Sequence, residues 1–377
     1  MKIAHLIAVA VVCISTAPPT QAEPGVTANE ILIGQDIDMS GTIAARMKPL
    51  VQAADAYFDQ VNRRGGVHGR KIKVVRLDNA NKPDKTKDNV KQLVEKNGVF
   101  AMWGISGTGN VGAALPYLNE KRVPLIGTTS GAETFYGKKH PYLINIKASY
   151  ADEINRLATH FKALGIQKIG LIYLDNGFGR EALKSAQSAA AEQKLDVVGI
   201  SPFKEDGTNI EQAVLPIAAA KPQAVFLLTL AGPAPKLVEA YLKTGDKTQF
   251  FALSIVATDV LFKAIGDNAR GIVVTQVVPF PWDGSIPISR DFQELMKSIN
   301  VTDYSMSGME GFVLARTLVE GLRAAGKNPT RDGLIAAYEG MRDKDLGGMK
   351  LSYSPEDHNG STLVDITMIG KGGKLVR

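Results

Sequence analysis

A glycine-rich stretch, Gly107–Gly112 (GTGNVG), is the motif in this sequence most suggestive of a binding site. It fits the G-x-G-x-x-G pattern of dinucleotide-binding turns and follows a predicted strand, Val99–Gly104. A dinucleotide site also needs an acidic residue about twenty positions later, at the end of the next strand. That place holds Gly127–Gly131, and Glu133 lies beyond it. The motif therefore favours a broader anion site, in which backbone N–H groups at a helix N-terminus face the ligand.

Hydroxyl side chains accompany this turn and the end of the following strand. Ser106 and Thr108 belong to the first loop, and Thr128–Gly131 (TTSG) forms the second. Ligands of doubly wound sheets bind outside the carboxyl ends of the strands, so we expect both loops to line one pocket. The alternative is that these residues are ordinary turn formers.

The common catalytic motifs are absent from the sequence. It contains no G-x-S-x-G elbow, and none of its Gly-Lys pairs is followed by Ser or Thr. The histidines are too far apart to form a metal site by spacing, and the carboxylates are scattered. We therefore expect no enzymatic activity, no metal and no cofactor. A nicotinamide-dependent enzyme built on Gly107–Gly112 is the weakest alternative.

Length and composition predict a globular protein of two or three domains. The chain has 377 residues, of which 45% are hydrophobic and 22% charged, and its net charge is +6. No run of five or six like charges forms a nucleic-acid patch. The sequence thus predicts no nucleic-acid partner, and we expect a monomer.

The first 22 residues are predicted to be an export signal. Lys2 precedes an apolar run, Leu6–Ile14, and Thr20–Ala22 offers a cleavage pattern before Glu23. The only cysteine, Cys13, lies in this segment. We therefore expect a periplasmic protein without disulfides or thiol chemistry.

Ten short β-branched runs alternate with amphipathic stretches along the rest of the chain, which predicts βαβ units and parallel sheets. The predicted helices include Ala45–Arg63, Asp84–Lys96 and Ala151–Leu164. So many strands favour an α/β protein of two doubly wound, Rossmann-like lobes, with Ile144–Ser149 and Thr275–Pro279 as crossovers between them. The predicted strands are Glu30–Ile37, Arg70–Leu77, Val99–Gly104, Val123–Gly127, Tyr142–Ile146, Gln167–Tyr173, Leu195–Ile200, Gln223–Thr229, Gln249–Ser254 and Gly271–Val277.

Several stretches resemble the periplasmic leucine/isoleucine/valine-type binding proteins of ABC transporters. They are Ile31–Gly41, Ala53–Leu77, Leu115–Gly131, Phe178–Gly179 and Met309–Gly326. The resemblance implies the type I periplasmic binding protein fold, in which three crossovers join the lobes and the cleft closes on a ligand by a hinge motion. It also implies docking of the closed form onto a membrane permease. The expected lobes are residues 23–148 plus 279–350 and residues 149–278 plus 351–377.

The resemblance also assigns ligand-binding positions. In amino-acid-binding members, residues matching Thr108, Thr129 and Gly131 hold the ligand carboxylate, and here the last has no hydroxyl. Those members pair the ligand ammonium with an acidic residue, whose place Ser254 takes. A buried ammonium without a counter-charge is costly, so a free α-amino acid is disfavoured unless Asp38 or Glu310 supplies that charge.

Other positions in the predicted cleft suggest an organic acid with an apolar body. Arg46 takes a place where members often have Tyr; it would form a bidentate pair with a carboxylate, or else be a solvated helix charge. An apolar wall is expected from Phe178, Leu230 and Met306, although each could be core. Ser106, Ser130 and Tyr150 complete the predicted ligand-binding set.

A soluble receptor that delivers a small carboxylate to an ABC importer is therefore the leading functional hypothesis. The resemblance to non-amino-acid carboxylate receptors rests on Ala56–Phe58, Pro116–Asn119 and Ser130–Ala132. An amino-acid receptor of the same family and a ligand-sensing module are the alternatives.

Overall fold

A computed structural model describes residues 23–137 and 140–377. The predicted export signal and Cys13 lie outside these residues. The strands are Glu30–Ile37 (β1), Lys71–Asp78 (β2), Ala101–Ile105 (β3), Leu125–Thr128 (β4), Leu143–Ile144 (β5), Lys168–Leu174 (β6), Asp196–Phe203 (β7), Ala224–Leu228 (β8), Gln249–Ala252 (β9), Val273–Gln276 (β10), Lys344–Asp345 (β11), Lys350–Leu351 (β12), Asp365–Ile369 (β13) and Leu375–Val376 (β14). The helices are Ala44–Arg63 (α1), Pro83–Lys91 (α2), Thr108–Glu120 (α3), Tyr150–Ala163 (α4), Gly177–Gln193 (α5), Ile210–Ala219 (α6), Ala234–Leu242 (α7), Thr258–Ile265 (α8), Pro287–Ser298 (α9), Met306–Ala324 (α10) and Arg331–Glu339 (α11).

The first lobe is built on a five-stranded parallel sheet in the order β2-β1-β3-β4-β5. Its central strands are buried, as expected for a parallel sheet covered by helices on both faces. Helix α1 packs along α10, and α9 and α11 join them although they follow much later in the chain. Trp103 anchors this core, since its indole N–H donates to the Leu314 carbonyl (3.2 Å) and its ring meets Phe58 edge-on.

The second lobe is built on a seven-stranded sheet in the order β14-β13-β10-β9-β8-β6-β7. Strands β6–β10 run parallel, while β13 and β14 are antiparallel additions at one edge. Helices α4 and α5 pack together, and α6, α7 and α8 form a second run of neighbours. The phenyl ring of Phe161 on α4 packs against Phe226 and Phe251 of the sheet.

Three crossovers connect the lobes. The chain leaves the first sheet after β5 and starts α4 at Tyr150, and it returns after β10 to α9, which packs on α1. The third crossover comes later than the predicted boundary at residue 351. Tyr353 packs on Tyr338 of α11, and Asn359 pairs with Asn145 beside the first sheet, so these residues belong with the first lobe.

All ten predicted strands have counterparts in the structure, and β1 has the predicted bounds. The C-terminal strands β13 and β14 and the β11–β12 hairpin were not predicted. They are short, and β13 adds to the sheet in the antiparallel direction, outside the βαβ alternation on which the prediction rested. Among the described residues, no helix is long and apolar enough to cross a bilayer.

Candidate ligand-binding cleft

A partly open cavity of about 160 Å³ lies between the two lobes. Its walls are polar where the first lobe contributes and more apolar where the second does. The lining residues are Ile43, Asn81, Pro83, Gly107, Thr108, Gly109 and Asn110 from the first lobe, and Asn176, Gly177, Phe178, Glu205, Leu230 and Ile255 from the second. The lobes also meet directly, since the Thr42 hydroxyl lies 3.4 Å from a carboxylate oxygen of Glu205. The structure is therefore that of a closed cleft.

The glycine-rich turn places the N-terminus of α3 in the cavity wall. Gly107 precedes the helix with a φ of 87°, in the left-handed region that favours glycine. No side chain of the described residues caps this helix, whereas Asn176 caps α5 by accepting from the Gly179 N–H (3.1 Å). The first-turn N–H groups of α3 and the positive end of its dipole thus suit an anionic group.

The two hydroxyl loops touch each other, but only the first, through Gly107–Asn110, lines the cavity. The Thr108 and Ser130 hydroxyl groups lie 2.8 Å apart, although the loops come from different strands. Thr129 is fully buried, and its hydroxyl has no partner in the described part of the chain. Ser106 has another role, because its hydroxyl accepts from the Asp38 N–H (2.8 Å) and does not line the cavity.

Arg46 is buried on α1, so the alternative of a solvated helix charge is wrong. Its guanidinium pairs with Glu310 of α10, and the second oxygen of Glu310 lies 3.6 Å from the Lys147 ammonium. Two guanidinium nitrogens of Arg46, Nε and Nη1, have no hydrogen-bond partner among the described residues. Buried donors are nearly always satisfied in native proteins, so these two call for an acceptor from outside the chain.

Tyr150 lies behind the cavity wall that Phe178 forms. The two rings meet edge-on with centroids 5.1 Å apart, and the Tyr150 N–H donates to the Gly131 carbonyl (2.6 Å). Burial raises the pKa of the Tyr150 phenol, which keeps the hydroxyl protonated at neutral pH. Within the described chain this hydroxyl has no partner, so it adds a further unused group with an O–H to donate.

Ser254 lies beside a carboxylate that the sequence analysis did not identify. Its N–H (2.8 Å) and hydroxyl (3.0 Å) both donate to Glu153 of α4, and the Thr275 hydroxyl donates to Glu153 as well. A carboxylate therefore lies at this place, although Ser254 itself carries no charge. Burial raises the pKa of Glu153, while Lys147 and these hydrogen bonds act in the opposite direction. Both oxygens of Glu153 are already engaged within the protein.

Both proposed sources of a counter-charge are also engaged. The Asp38 carboxylate accepts the N–H groups of Ser40, Gly41 and Ile43, and so holds the loop after β1. Glu310 is paired with Arg46 and Lys147.

Of the predicted apolar residues, Phe178 and Leu230 line the cavity. Met306 is buried in the first turn of α10 and does not line it.

Two larger hollows, of 520 and 550 Å³, open along the outer boundary of the lobes. We place the site in the smaller cavity because it is less open than these two and is lined by the glycine-rich turn before α3.

Sequence reasoning missed Glu153, Lys147, Ile43 and Ile255. Lys147 was identifiable, because it is a lone charge inside a predicted apolar crossover. Glu153 was not, since a carboxylate in the first turn of a helix normally faces solvent.

The comparisons with known proteins agree with this architecture. Residues 30–374 match the model of a family described as periplasmic binding protein. A curated relative, the Leu/Ile/Val-binding protein homolog 6 of Brucella abortus, is 23% identical over 323 residues, which cover 83% of this chain and 81% of the relative.

Two solved structures illustrate the fold. A substrate-binding periplasmic protein from Ralstonia solanacearum has a TM-score of 0.86 and 30% identity, covering 92% of this chain and 99% of its own. A fatty acid ABC transporter substrate-binding protein from Thermomonospora curvata has a TM-score of 0.85 at 21% identity, covering 94% of this chain and 93% of its own.

Proposed function

This chain belongs to the periplasmic binding protein family, and we propose that it is the receptor of an ABC importer and captures a small carboxylate by closure of its cleft. The family and fold are those of solute receptors rather than enzymes. The importer role is supported by the name of the similar ABC transporter substrate-binding protein from Thermomonospora curvata, and the periplasmic location by the predicted export signal and the family.

The carboxylate is supported above all by unused buried donors next to the lining residues, although their side chains do not themselves line the cavity. Arg46 on α1 follows Ile43, Tyr150 packs on Phe178, and Thr129 precedes Ser130, which contacts Thr108. Arg46 offers two N–H groups, Tyr150 and Thr129 offer hydroxyls, and α3 offers the N–H groups of its first turn. A carboxylate carries two acceptor oxygens and a negative charge, so it satisfies such donors through strong, charge-assisted hydrogen bonds.

The ligand body is expected to be small and apolar. A cavity of about 150 Å³ holds a benzene-sized molecule, and the cavity here measures 160 Å³. Ile43, Phe178, Leu230 and Ile255 supply apolar contacts for such a body. An acid with one aromatic ring or a short aliphatic chain fits these walls.

A free α-amino acid fits less well. Asp38 and Glu153 accept hydrogen bonds from the protein on both oxygens, and Glu310 is held in ion pairs with Arg46 and Lys147, although its Oε1 accepts no hydrogen bond from the described residues. Burying an ammonium without a free counter-charge costs several kcal/mol, so the amino-acid receptor remains the second candidate.

A thermal-shift panel on the full chain tests the proposal, after unfolding and refolding to remove bound ligand. The panel compares benzoate, phenylacetate and butanoate with leucine, valine and phenylalanine. A ligand at a hundred times its dissociation constant adds about 2.7 kcal/mol to the free energy of unfolding. We expect the acids to raise the midpoint and the amino acids to leave it unchanged. A shift with the amino acids alone would retain the receptor and refute the ligand class.

A further inference from the structure

The two lobes touch backbone to backbone at the rim of the cleft, where Gly232 faces Thr42. Gly232 lies in the second-lobe turn between β8 and α7, and Thr42 lies in the first-lobe loop before α1. A Cβ atom on Gly232 would lie only 2.4 Å from the Thr42 carbonyl oxygen and 3.3 Å from its carbonyl carbon. Only glycine permits this contact.

Neither of the two backbone segments at this contact can move away easily. Three N–H groups of the Thr42 loop are held by the Asp38 carboxylate, and Asn81 donates to the Thr42 hydroxyl (2.8 Å). Opposite, Gly232 stands between the buried Ala231 and Pro233, which begins α7. An added methyl group would therefore push the lobes apart by about 1 Å, the shortfall from an ordinary van der Waals distance.

The residues next to this contact form the cavity itself. Ile43 follows Thr42, and Leu230 comes two residues before Gly232; both line the cavity. The separation of the two backbones at the rim thus fixes the distance between two apolar walls.

We propose that Gly232 determines ligand size: its missing side chain lets the lobes close to a cavity of 160 Å³, and any side chain there selects larger ligands. This inference rests on the proposed function, because it assumes that the cavity holds the ligand. Gly232 acts as a positioning residue, through the approach of the lobes.

The test compares Gly232→Ala with Gly284→Ala. Gly284 is exposed and lies outside the cavity, and a Cβ atom there would meet nothing within 4 Å. Calorimetry with acetate, butanoate, benzoate, 3-phenylpropanoate and decanoate gives the size preference. For Gly232→Ala we expect at least tenfold weaker binding of the best wild-type probe, and a ratio of larger-probe to smaller-probe affinity at least tenfold higher. Gly284→Ala should keep the wild-type ranking, and an unchanged ranking in Gly232→Ala would overturn the proposal.

A second measurement reports how readily the cleft closes when no ligand is present. Thr42→Cys and Glu205→Cys, in the full chain carrying Cys13→Ser, place two thiols across the cleft where the native side chains lie 3.4 Å apart. Cross-linking by a short bifunctional thiol reagent should be at least threefold slower with Gly232→Ala and unchanged with Gly284→Ala. If no acid binds the wild-type chain, the proposed function fails. The cross-linking rate still tests whether the contact between Gly232 and Thr42 limits closure of the cleft.

The unliganded melting midpoint separates closure from folding. It should be the same in Gly232→Ala as in the wild type, because the clash arises only between the lobes. A lower midpoint would place the clash inside the second lobe and overturn the proposal.

Discussion

At the scale of single residues, the site is dominated by buried charges that neutralise one another. Arg46 and Lys147 meet the carboxylates of Glu310 and Glu153 near the place where the chain first crosses between the lobes. A buried ion pair stabilises little compared with an apolar pair, but breaking it is costly because one charge is left alone. Arg46 thus combines a structural ion pair with two N–H groups that remain unused.

This double role predicts the outcome of a mutant cycle. Arg46→Met should lower the free energy of unfolding by about 3–5 kcal/mol, since Glu310 loses its main partner. Adding Glu310→Gln should recover more than half of that loss without restoring binding of the acid probe. Urea denaturation and calorimetry measure the two effects.

Arg316→Met is the matched control, because its ion pair with Asp291 is half exposed and should cost less than about 1 kcal/mol. Full recovery of ligand binding in the Arg46→Met/Glu310→Gln variant would remove Arg46 from the ligand contacts.

The Asp78 carboxylate, like that of Asp38, holds the loop after β1 by hydrogen bonds. Burial acts to raise the pKa of Asp78, but hydrogen bonds from Ser40, Met39, Ala80 and Lys85 outweigh it and hold the pKa well below the ordinary value of 3.8. The folded protein therefore keeps Asp78 ionised at a pH where the unfolded chain has already bound a proton. The stability this residue provides is present above the ordinary pKa and is lost as the pH falls below it.

Asp78→Asn should accordingly lower the melting midpoint at pH 7, and the difference from the wild type should shrink as the pH falls below about 4. Asp84→Asn, whose side chain is 95% exposed in its pair with Lys87, should melt like the wild type at every pH. A difference between Asp78→Asn and the wild type that grows toward low pH would contradict the assigned sign.

At the scale of elements, the carboxyl ends of the parallel strands face the cleft. The helices that follow those strands therefore have their N-termini there. Helix α5 starts directly after β6, and its first turn lies on the strand end so closely that a Cβ on Gly179 would be 1.8 Å from the Leu174 carbonyl oxygen. That contact also sets the position of Phe178 in the cavity wall.

Gly179→Ala should therefore destabilise the protein by about 1–3 kcal/mol through overpacking, and weaken binding by displacing Phe178. Chemical denaturation and calorimetry check both parts. Gly284→Ala, at an exposed loop position outside the cavity where a Cβ atom would meet nothing within 4 Å, should change neither. Wild-type stability in Gly179→Ala would show that the first turn of α5 adjusts freely.

The strands and helices were easier to predict from the sequence than the tertiary contacts that they make. The alternation of apolar residues predicted β1 with its observed bounds, and the glycine-rich turn predicted the loop that meets Ser130. The burial of Glu153 and Lys147 was not predictable, because it depends on which surfaces the lobes bring together and not on local pattern. The same reason explains the third crossover, whose position depends on Asn359 pairing with the distant Asn145.

At the scale of the whole molecule, three connections leave the lobes free to move as two bodies about a hinge. In the closed structure the lobes meet through the cavity walls and the contact of Thr42 with Glu205. In the proposed receptor, a bound ligand would supply further contacts between the lobes, so we expect the ligand-free protein to be more open.

Small-angle scattering should accordingly show a smaller radius of gyration for the refolded chain when it is saturated with an acid that gives a thermal shift. An acid that gives no shift serves as the control and should leave the radius unchanged. Equal radii with and without the binding acid would mean that the cleft stays closed without ligand.

The contact between Gly232 and the Thr42 carbonyl also has a genetic consequence. Every missense change of one base in a glycine codon introduces a residue with a Cβ atom, so each such mutation at position 232 alters the approach of the lobes. Single-base variants at position 232 therefore place side chains of graded size at the rim of the cleft, and we expect them to form a selectivity series in which ligand size changes while the fold and the donors stay in place.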